Sequence, residues 1–226
     1  MCRQRIVQVA EKVGIAPQDI ALVAVSKGIE APIICEAVDA GVDQIAESRV
    51  QEAFLKYPSV QAHADRLGCV LRWHMIGHLQ TNKVKQAVQI FDLIQSVDSV
   101  RLADAIDRAA AVLRKKQDIL LEVNVSGETS KYGFDPDTVL AALRQIASLK
   151  NINVRGLMTI GPLGSSVQRT RSCFRKFREL RDEAVKVSEG KVPLGILSMG
   201  MTEDFSLAIE EGSNMIRIGR GIFGGG

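Results

Sequence analysis

Cysteine pairs and long apolar runs are both missing from this sequence. The four cysteines, Cys2, Cys35, Cys69 and Cys173, form no CxxC pair, which argues against a cysteine metal site or a disulfide framework and predicts a reduced compartment. No segment approaches the roughly 18 consecutive apolar residues that a membrane span requires. The N-terminus carries charge from its third residue and has no apolar core of signal-peptide length. These absences predict a cytoplasmic protein.

A long basic block is also missing, because 29 Lys and Arg are balanced by 26 Asp and Glu, for a net charge of +3. Nucleic acid is therefore a poor first candidate for a partner. The 226 residues are 46% hydrophobic and 24% charged, which is ordinary for a soluble globular protein. Since no linker or low-complexity segment divides the chain, residues 1–226 are predicted to form a single domain.

Short apolar runs alternate with longer amphipathic segments along the whole chain. Eight of these runs are typical of strands: 20–26, 42–46, 70–77, 91–97, 119–126, 154–161, 194–200 and 215–219. Strands that alternate with helices favour a parallel sheet, and eight is the number that closes a barrel. The rival is an open doubly wound sheet, but its GxGxxG turn is absent after the first run, where SKGIEAP stands. The prediction is a single (β/α)8 TIM barrel with an extra N-terminal helix.

Several helix boundaries are marked by capping residues. Gly14 is expected to end the N-terminal helix, and the next helix has Pro32 in its first turn and Gly41 just past its end. Ser99 is a candidate N-cap, and Asp135 with the following proline is expected to start another helix.

The first predicted strand ends in a lysine, Lys27. In a barrel, functional residues gather at the C-terminal ends of the strands. A lysine walled in by barrel and helices would lose hydration, which lowers its pKa, and a neutral amine can form a Schiff base with an aldehyde. On position alone, a solvated lysine at a strand exit is the favoured interpretation, because lysines are usually exposed.

Small-residue turns follow the seventh and eighth predicted strands, with Ser198 and Gly200 in the first and Gly219 in the second. Barrels often bind phosphate in this region through backbone N–H groups, although ordinary turns explain the glycines equally well. A Schiff-base lysine facing a phosphate site suggests a phosphorylated aldehyde, of which pyridoxal 5′-phosphate is the common one. Arg217 either faces the pyridine nitrogen of such a ligand or is simply a charged residue at a strand end.

Other conspicuous residues carry weaker signals. His74 and His78 are four apart but do not lie on a predicted helix, so a packed or hydrogen-bonded His74 is favoured over a metal ligand. Met158 is more often a core residue than a cofactor contact. Lys131 stands in a polar loop after the fifth strand, and on this position alone it is interpreted as a surface lysine.

Motifs along nearly the whole chain resemble one family. AVSK, RVQE, WHMIGHLQTNK, NVSGETSKYGF, RGLMTIG, LSMGMTEDF and GSNMIRIGRGIFG occur in this order, as in the YggS/PROSC family of pyridoxal phosphate homeostasis proteins. The resemblance implies a barrel like the N-terminal domain of alanine racemases. It also implies pyridoxal 5′-phosphate bound covalently as an internal aldimine on Lys27.

The resemblance assigns further residues to the cofactor. Arg217 would face the pyridine nitrogen, keep it unprotonated and so weaken the ring as an electron sink. Lys131 matches a family lysine linked to cofactor handling. The family usually has Gly-Glu-Asn before its VQE motif, whereas Ala46 and Ser48 stand here, so Ser48 reaches less far toward the hydroxyl side of the ring. The resemblance also implies that the phosphate is bound by Ser198, Gly200, Gly219 and the backbone of Arg220. Three further motif positions have no specified role: Met158, His74 and Asn82.

The resemblance favours a carrier over an enzyme. Racemases of this fold use two bases, and their second base, a tyrosine, comes from another domain. The tyrosines here are Tyr57, expected between a helix and a loop, and Tyr132, the better substitute. We therefore expect a monomeric protein that binds the cofactor, buffers it and delivers it to pyridoxal-phosphate-dependent apoenzymes. The alternatives are an amino-acid racemase using Tyr132, and a cofactor-free Schiff-base aldolase acting on a phosphorylated sugar.

Overall fold

Eight parallel strands form a closed barrel in the computed structural model, which describes residues 2–129 and 131–224. Each strand pairs with the next, and β8 returns to β1 through the pairs from Ala21–Met215 to Ala24–Ile218. The strands are β1 Ala21–Val25, β2 Gln44–Glu47, β3 Arg72–Met75, β4 Leu93–Val97, β5 Gln117–Glu122, β6 Ile152–Met158, β7 Ile196–Ser198 and β8 Met215–Ile218.

Helices surround the barrel and connect its strands. They are α1 Cys2–Lys12, α2 Ala31–Asp39, α3 Val50–Arg66, α4 Val84–Ile90, α5 Val100–Val112, α6 Val139–Ile146, α7 Val167–Val187, α8 Phe205–Glu210 and α9 Arg220–Phe223. The helix α1 precedes the first strand and packs against α8. The predicted barrel with an extra N-terminal helix is therefore confirmed, and the open doubly wound sheet is excluded.

Most boundaries differ from the sequence-based prediction by a few residues. Ser99 caps α5 as expected, because its hydroxyl accepts the Leu102 N–H at 3.3 Å. Gly14 and Gly41 have φ of 72° and 86°, the left-handed conformation of a helix C-terminus. The predicted start at Asp135 is wrong: its carboxylate accepts the Asp137 N–H at 2.9 Å in a turn, and α6 begins at Val139.

The barrel has a small apolar centre and a larger apolar layer outside it. The apolar centre consists of one small cluster of buried side chains: Val23, Ala46, Leu93, Leu120, Met158 and Met215. A larger apolar core lies between the strands and the helices, as expected when helices cover the outside of a parallel sheet.

The described ranges contain neither a membrane-spanning helix nor a metal-binding cluster. None of the described helices is both long and apolar enough to cross a membrane. No group of three or more His, Cys, Asp or Glu in those ranges has a geometry that could hold a metal ion. The four cysteines are free thiols.

Candidate functional site

The C-terminal ends of the eight strands meet at one rim of the barrel, which we call the mouth. Because all strands are parallel, residues that follow β1, β2, β7 and β8 are brought to this rim. Lys27 follows β1, Ser48 follows β2, and Gly200 and Gly219 follow β7 and β8. The arrangement gathers the residues that sequence patterns singled out into one region.

Lys27 lies in an exposed turn at the mouth. Ser26 is fully buried, but the chain then turns out through Gly28, whose φ of +74° requires glycine. Of the two interpretations of Lys27, the structure supports the solvated lysine at a strand exit that position alone favoured, because the strand is walled in and its terminal lysine is exposed. Within residues 2–129 and 131–224, the Lys27 amine has no ion pair and no hydrogen bond, in contrast to the lysines Lys56 and Lys131.

A charged group, the outer cluster (Glu47, Glu52 and Lys56), lies beside this turn. The Lys56 ammonium on α3 donates to Glu47 Oε1 at 2.9 Å and to Glu52 Oε1 at 2.6 Å. It also donates to the Ser26 carbonyl at 2.8 Å, while the Ser26 hydroxyl donates to Glu47 Oε1 at 2.7 Å. Glu52 Oε1 accepts the Gly28 N–H at 2.5 Å. The two residues that flank Lys27 are thus both bonded to the outer cluster.

The two carboxylates of the outer cluster have opposite pKa shifts. Burial raises the pKa of Glu47, although the hydrogen bonds from Ser26 and Lys56 oppose this effect. Burial also acts on Glu52, but the hydrogen bonds from Lys56 and Gly28 outweigh it and lower the pKa of that carboxyl. Since Lys56 donates to both carboxylates and to the Ser26 carbonyl, its ammonium is fully engaged within the cluster.

A second polar group, the inner network (His74, Gln95, Ser198 and Arg217), crosses the barrel interior below the mouth. Arg217 Nη1 donates to Ser198 Oγ at 2.5 Å, and the Ser198 hydroxyl donates to Gln95 Oε1 at 2.7 Å. Gln95 Nε2 lies 2.8 Å from His74 Nδ1, and since an amide nitrogen only donates, His74 Nδ1 accepts. Arg217 Nη2 also donates to the Thr159 carbonyl at 2.8 Å.

The inner network contains one charged group in dry surroundings. Burial lowers the pKa of Arg217 to about 10, which still leaves it a cation at neutral pH. Its hydrogen-bond acceptors are neutral oxygens, and no carboxylate of the described residues comes within ion-pair distance. Burial lowers the pKa of His74 to about 3, so its ring is neutral, and its Nε2 is buried with no hydrogen-bond partner in the described ranges.

Glu122 is one of two carboxylates whose charge acts on Arg217, and the other is Asp204. Glu122 ends β5 and is 6% exposed. Burial and the nearby charge of Asp98 raise the pKa of Glu122 to about 7, and the charge of Arg217 opposes that rise. Near neutral pH, this carboxyl group therefore exists in both protonation states.

The fold requires glycine in one of the two predicted phosphate turns but not in the other. Gly200 has a φ of +94°, and a Cβ added there would lie 2.5 Å from the Ala208 Cβ, so backbone conformation and packing both demand glycine. Gly219 has a φ of −104°, and its Cβ would meet Val25 O at 3.4 Å, an ordinary contact. Neither strain nor packing within the chain explains the glycine at 219.

Backbone N–H groups at the turn after β8 are available to a ligand. The N–H groups of Gly219, Arg220 and Gly221 donate no hydrogen bond to any acceptor in the described part of the chain. Because β8 pairs with β1, this turn lies beside the strand that leads to Lys27. An uncommitted amine and a set of open N–H donors thus share one side of the mouth, which suits a ligand with a carbonyl group and an anionic group.

Comparisons with known proteins agree with this geometry. The family model described as "Alanine racemase, N-terminal domain" matches residues 3–226. The pyridoxal phosphate homeostasis protein of Aquifex aeolicus (strain VF5) is 40% identical over 221 residues, which cover 98% of this chain and 93% of the relative. The chain belongs to the pyridoxal phosphate homeostasis protein family. The family resemblance of the sequence motifs is therefore confirmed.

Solved structures of one family relative also match over nearly the whole chain. PipY of Synechococcus elongatus PCC7942 without PLP is 38% identical, with a TM-score of 0.87 over 99% of this chain and all of PipY. The structure of PipY with PLP bound is 36% identical over the same shares of both chains, with a TM-score of 0.85. Nearly the whole chain therefore shares the fold of PipY.

Most of the remaining residues that the family motifs singled out also lie near the mouth, but with different exposure. Met158 is fully buried in the apolar centre, and Ser48 is half-buried after β2. Lys131 donates to Glu128 Oε1 and to the Gly161 carbonyl, both at 2.9 Å, so its interpretation as a free surface lysine is wrong. The exposed Arg220 side chain pairs with Glu203 at 3.1 Å, which leaves only its backbone for the phosphate turn.

The two tyrosines lie in different surroundings. Tyr57 lies within α3, so the prediction that it sits between a helix and a loop is wrong, and its ring packs on Trp73 at 5.2 Å. Tyr132 is 55% exposed and stacks on His78, with ring centroids 3.8 Å apart. His78 is held in turn by Asp98 at 2.9 Å.

Sequence reasoning missed Gln95 and Lys56, which are central to the two polar groups. Gln95 interrupts the apolar run of β4, and a polar residue inside a buried strand is the signal that could have found it. Lys56 stands four residues after Glu52 on one helix, a spacing that indicates an ion pair but not its contact with the Lys27 turn.

Proposed function

We propose that this protein binds pyridoxal 5′-phosphate at the barrel mouth, covalently through Lys27, and serves cellular vitamin B6 homeostasis by holding and delivering the cofactor. The names of its relatives and the PLP-bound form of PipY support the ligand. The observation that carries the proposal is the pairing of β1 with β8, which brings the uncommitted Lys27 amine and the open N–H groups of the Gly219 turn to the same side of the mouth.

The residues present fit such a cofactor. When bound, pyridoxal phosphate supplies an aldehyde that condenses with a primary amine to form a C=N bond and release water. Lys27 is the mouth lysine whose amine is uncommitted in the described ranges, whereas Lys56 and Lys131 are held by carboxylates. At Gly219, a glycine that the fold itself does not require leaves room for close approach of phosphate oxygens.

The other proposed contacts depend on which hydrogen-bonding groups of each residue are not already used within the protein. The Ser198 hydroxyl is already used in the inner network, so residues 198–200 would contact phosphate through backbone groups. Arg217 keeps unused guanidinium donors and would hold the pyridine nitrogen in its unprotonated form. Ser48 and Met158 would contact the ring, while His74 and Lys131 remain candidates for cofactor handling.

We propose binding and delivery without catalysis. Racemisation needs a base on each face of the substrate α-carbon, and neither tyrosine offers a good second base. Tyr57 packs on Trp73 within the outer layer, and Tyr132 is stacked on His78. With L-alanine in deuterated water, the loaded protein is expected to show no steady exchange of the α-proton; sustained exchange would establish a racemase instead.

The deciding experiment is a spectrum of the purified protein with pyridoxal phosphate. The wild type should show the visible absorption band of a lysine-bound cofactor, and borohydride reduction followed by peptide mass analysis should place a pyridoxyl group on Lys27. Lys27→Ala should lose the band, while the matched control Lys85→Ala, an exposed lysine on α4, should keep it. A sugar adduct on Lys27, or no bound aldehyde in the wild type, would refute the proposal.

We further propose that the protein acts as a single-domain monomer in the cytoplasm and that pyridoxal-phosphate-dependent apoenzymes receive its cofactor. The free thiols of all four cysteines suit a reducing compartment. The exposed position of Lys27 suits transfer to another protein. Loaded protein mixed with an apoenzyme should activate it faster than spontaneous release of the cofactor allows.

A further inference from the structure

The turn that carries Lys27 is held by side chains from outside the barrel sheet. Backbone pairing with the sheet ends at Ser26, whose N–H donates to the Ala46 carbonyl at 2.9 Å. Beyond that point the turn is closed by one backbone bond, from Ile29 N–H to the Ser26 carbonyl at 3.0 Å. Lys27 and Gly28 are both exposed, and no atom lies within 4 Å of a Cβ position at Gly28. Packing alone therefore constrains this turn very little.

The outer cluster supplies the missing constraint on both sides of Lys27. On one side, Ser26 is bonded through its hydroxyl to Glu47 and through its carbonyl to Lys56. On the other side, the Gly28 N–H is bonded to Glu52. All three side chains are joined through the Lys56 ammonium, so the two flanks of the turn are tied to one rigid group. Bonds that involve charged partners are the stronger kind of hydrogen bond.

The outer cluster also distinguishes the two amines near β1. Lys56 is bound to two carboxylates and a carbonyl, so all three of its donors are occupied and its nitrogen is not open to a ligand. The Lys27 amine has no such partner in the described ranges. The two carboxylates therefore bind one amine, and together with Lys56 they fix the backbone that carries the other.

We propose that Glu47, Glu52 and Lys56 are positioning residues for Lys27, which hold its turn in the conformation that presents the amine to an incoming aldehyde at the mouth. This inference rests on the proposed role of Lys27 in holding the cofactor. Glu52 is the best residue to test, because it is half-buried and bonds the turn directly through Gly28. Glu47 is fully buried, and its replacement could disturb folding.

The test compares Glu52→Ala and Glu52→Gln with Asp65→Asn, a control on the same helix whose carboxylate accepts from Gln61 at 2.9 Å. Amide hydrogen exchange of the segment 22–31 is measured in cofactor-free protein, and the rate of covalent attachment is measured after mixing with pyridoxal phosphate. Glu52→Ala should speed exchange in the turn and slow attachment, each by about tenfold, while the control matches the wild type. Glu52→Gln keeps an oxygen for the Gly28 N–H and should recover part of both effects.

Each outcome has a defined meaning for the inference. Wild-type exchange in Glu52→Ala overturns the inference, because the cluster then does not hold the turn. Faster exchange with a wild-type attachment rate also overturns it, since the turn is then held without benefit to Lys27. Unfolding in urea tests for general destabilisation. If Glu52→Ala is less stable and segments outside 22–31 exchange faster to the same extent, the slow attachment does not come from the turn and the inference is overturned. If the wild type attaches no cofactor, the proposed function fails, but the exchange measurement still decides whether the cluster holds the turn.

Discussion

In the outer cluster, Lys56 lies between two carboxylates at 2.6 and 2.9 Å, whereas in the inner network Arg217 meets a hydroxyl and a carbonyl oxygen. The first cation is paired, and its charge is neutralised where it stands. The second cation is buried inside the barrel, among acceptors that carry no net charge. The two groups therefore create different electrostatic conditions around their cations.

Because of this difference, the two groups suit different roles at the mouth. A paired cation fixes neighbouring backbone and attracts no further ligand strongly. An unpaired buried cation keeps a positive potential, which in surroundings of low dielectric acts over several ångströms on an electron-rich ligand. The outer cluster thus suits support of the Lys27 turn, and the inner network suits contact with a ring nitrogen or an anion at the mouth.

The largest effect is expected when the paired cation is removed. Lys56→Met leaves the Glu47 carboxylate buried without its cation, and one of its oxygens already has no hydrogen-bond partner in the described residues. The free energy of unfolding should fall by about 3–5 kcal/mol, measured by urea denaturation at pH 7. In the double variant Lys56→Met/Glu47→Gln the stranded charge is gone, so part of the loss should return; an additive further loss would contradict the pairing.

The next largest effect is the pH dependence of stability that Glu122 causes. Burial raises the pKa of Glu122 from an ordinary 4.5 to about 7, so the folded state binds this proton more tightly than the unfolded state does. Its contribution to stability is full below pH 4.5 and is lost as the pH rises through about 7. At pH 8 Glu122→Gln should therefore be more stable than the wild type by at most about 3 kcal/mol, and near pH 4 the two should be similar. Urea denaturation at both pH values checks this, and an equal difference at both would show that Glu122 titrates normally.

Removal of the unpaired cation should cost less than removal of the paired one. Arg217→Met deletes two hydrogen bonds and leaves the buried Thr159 carbonyl without its donor, but it also removes the penalty of a buried charge. We expect a loss of about 2 kcal/mol in the free energy of unfolding. A loss larger than that of Lys56→Met would contradict this ranking of the two cations.

The fold is predictable from sequence, but contacts between residues far apart in the sequence are not. The strand pattern predicts the barrel, and with it the meeting of Lys27 and Gly219 at one rim, because β1 and β8 must pair to close it. The bond between Lys56 and the Ser26 carbonyl joins residues 30 apart and depends on how α3 packs on the sheet, which local patterns do not specify. The exposure of Lys27 depends likewise on the direction of a single turn.

The smallest effect on stability is expected at Gly219, where it separates ligand binding from folding. Gly219→Ala meets no strained φ and only an ordinary contact with Val25, so the free energy of unfolding should change by about 0.5 kcal/mol or less. Gly200→Ala is the matched contrast, because a positive φ and the Ala208 Cβ at 2.5 Å make it clearly destabilising without any ligand. If the open N–H groups at 219–221 hold phosphate, Gly219→Ala should weaken binding of pyridoxal phosphate several-fold more than binding of pyridoxal, which lacks the phosphate. Equal losses for both ligands in a titration of the absorption band would place the phosphate elsewhere on the mouth.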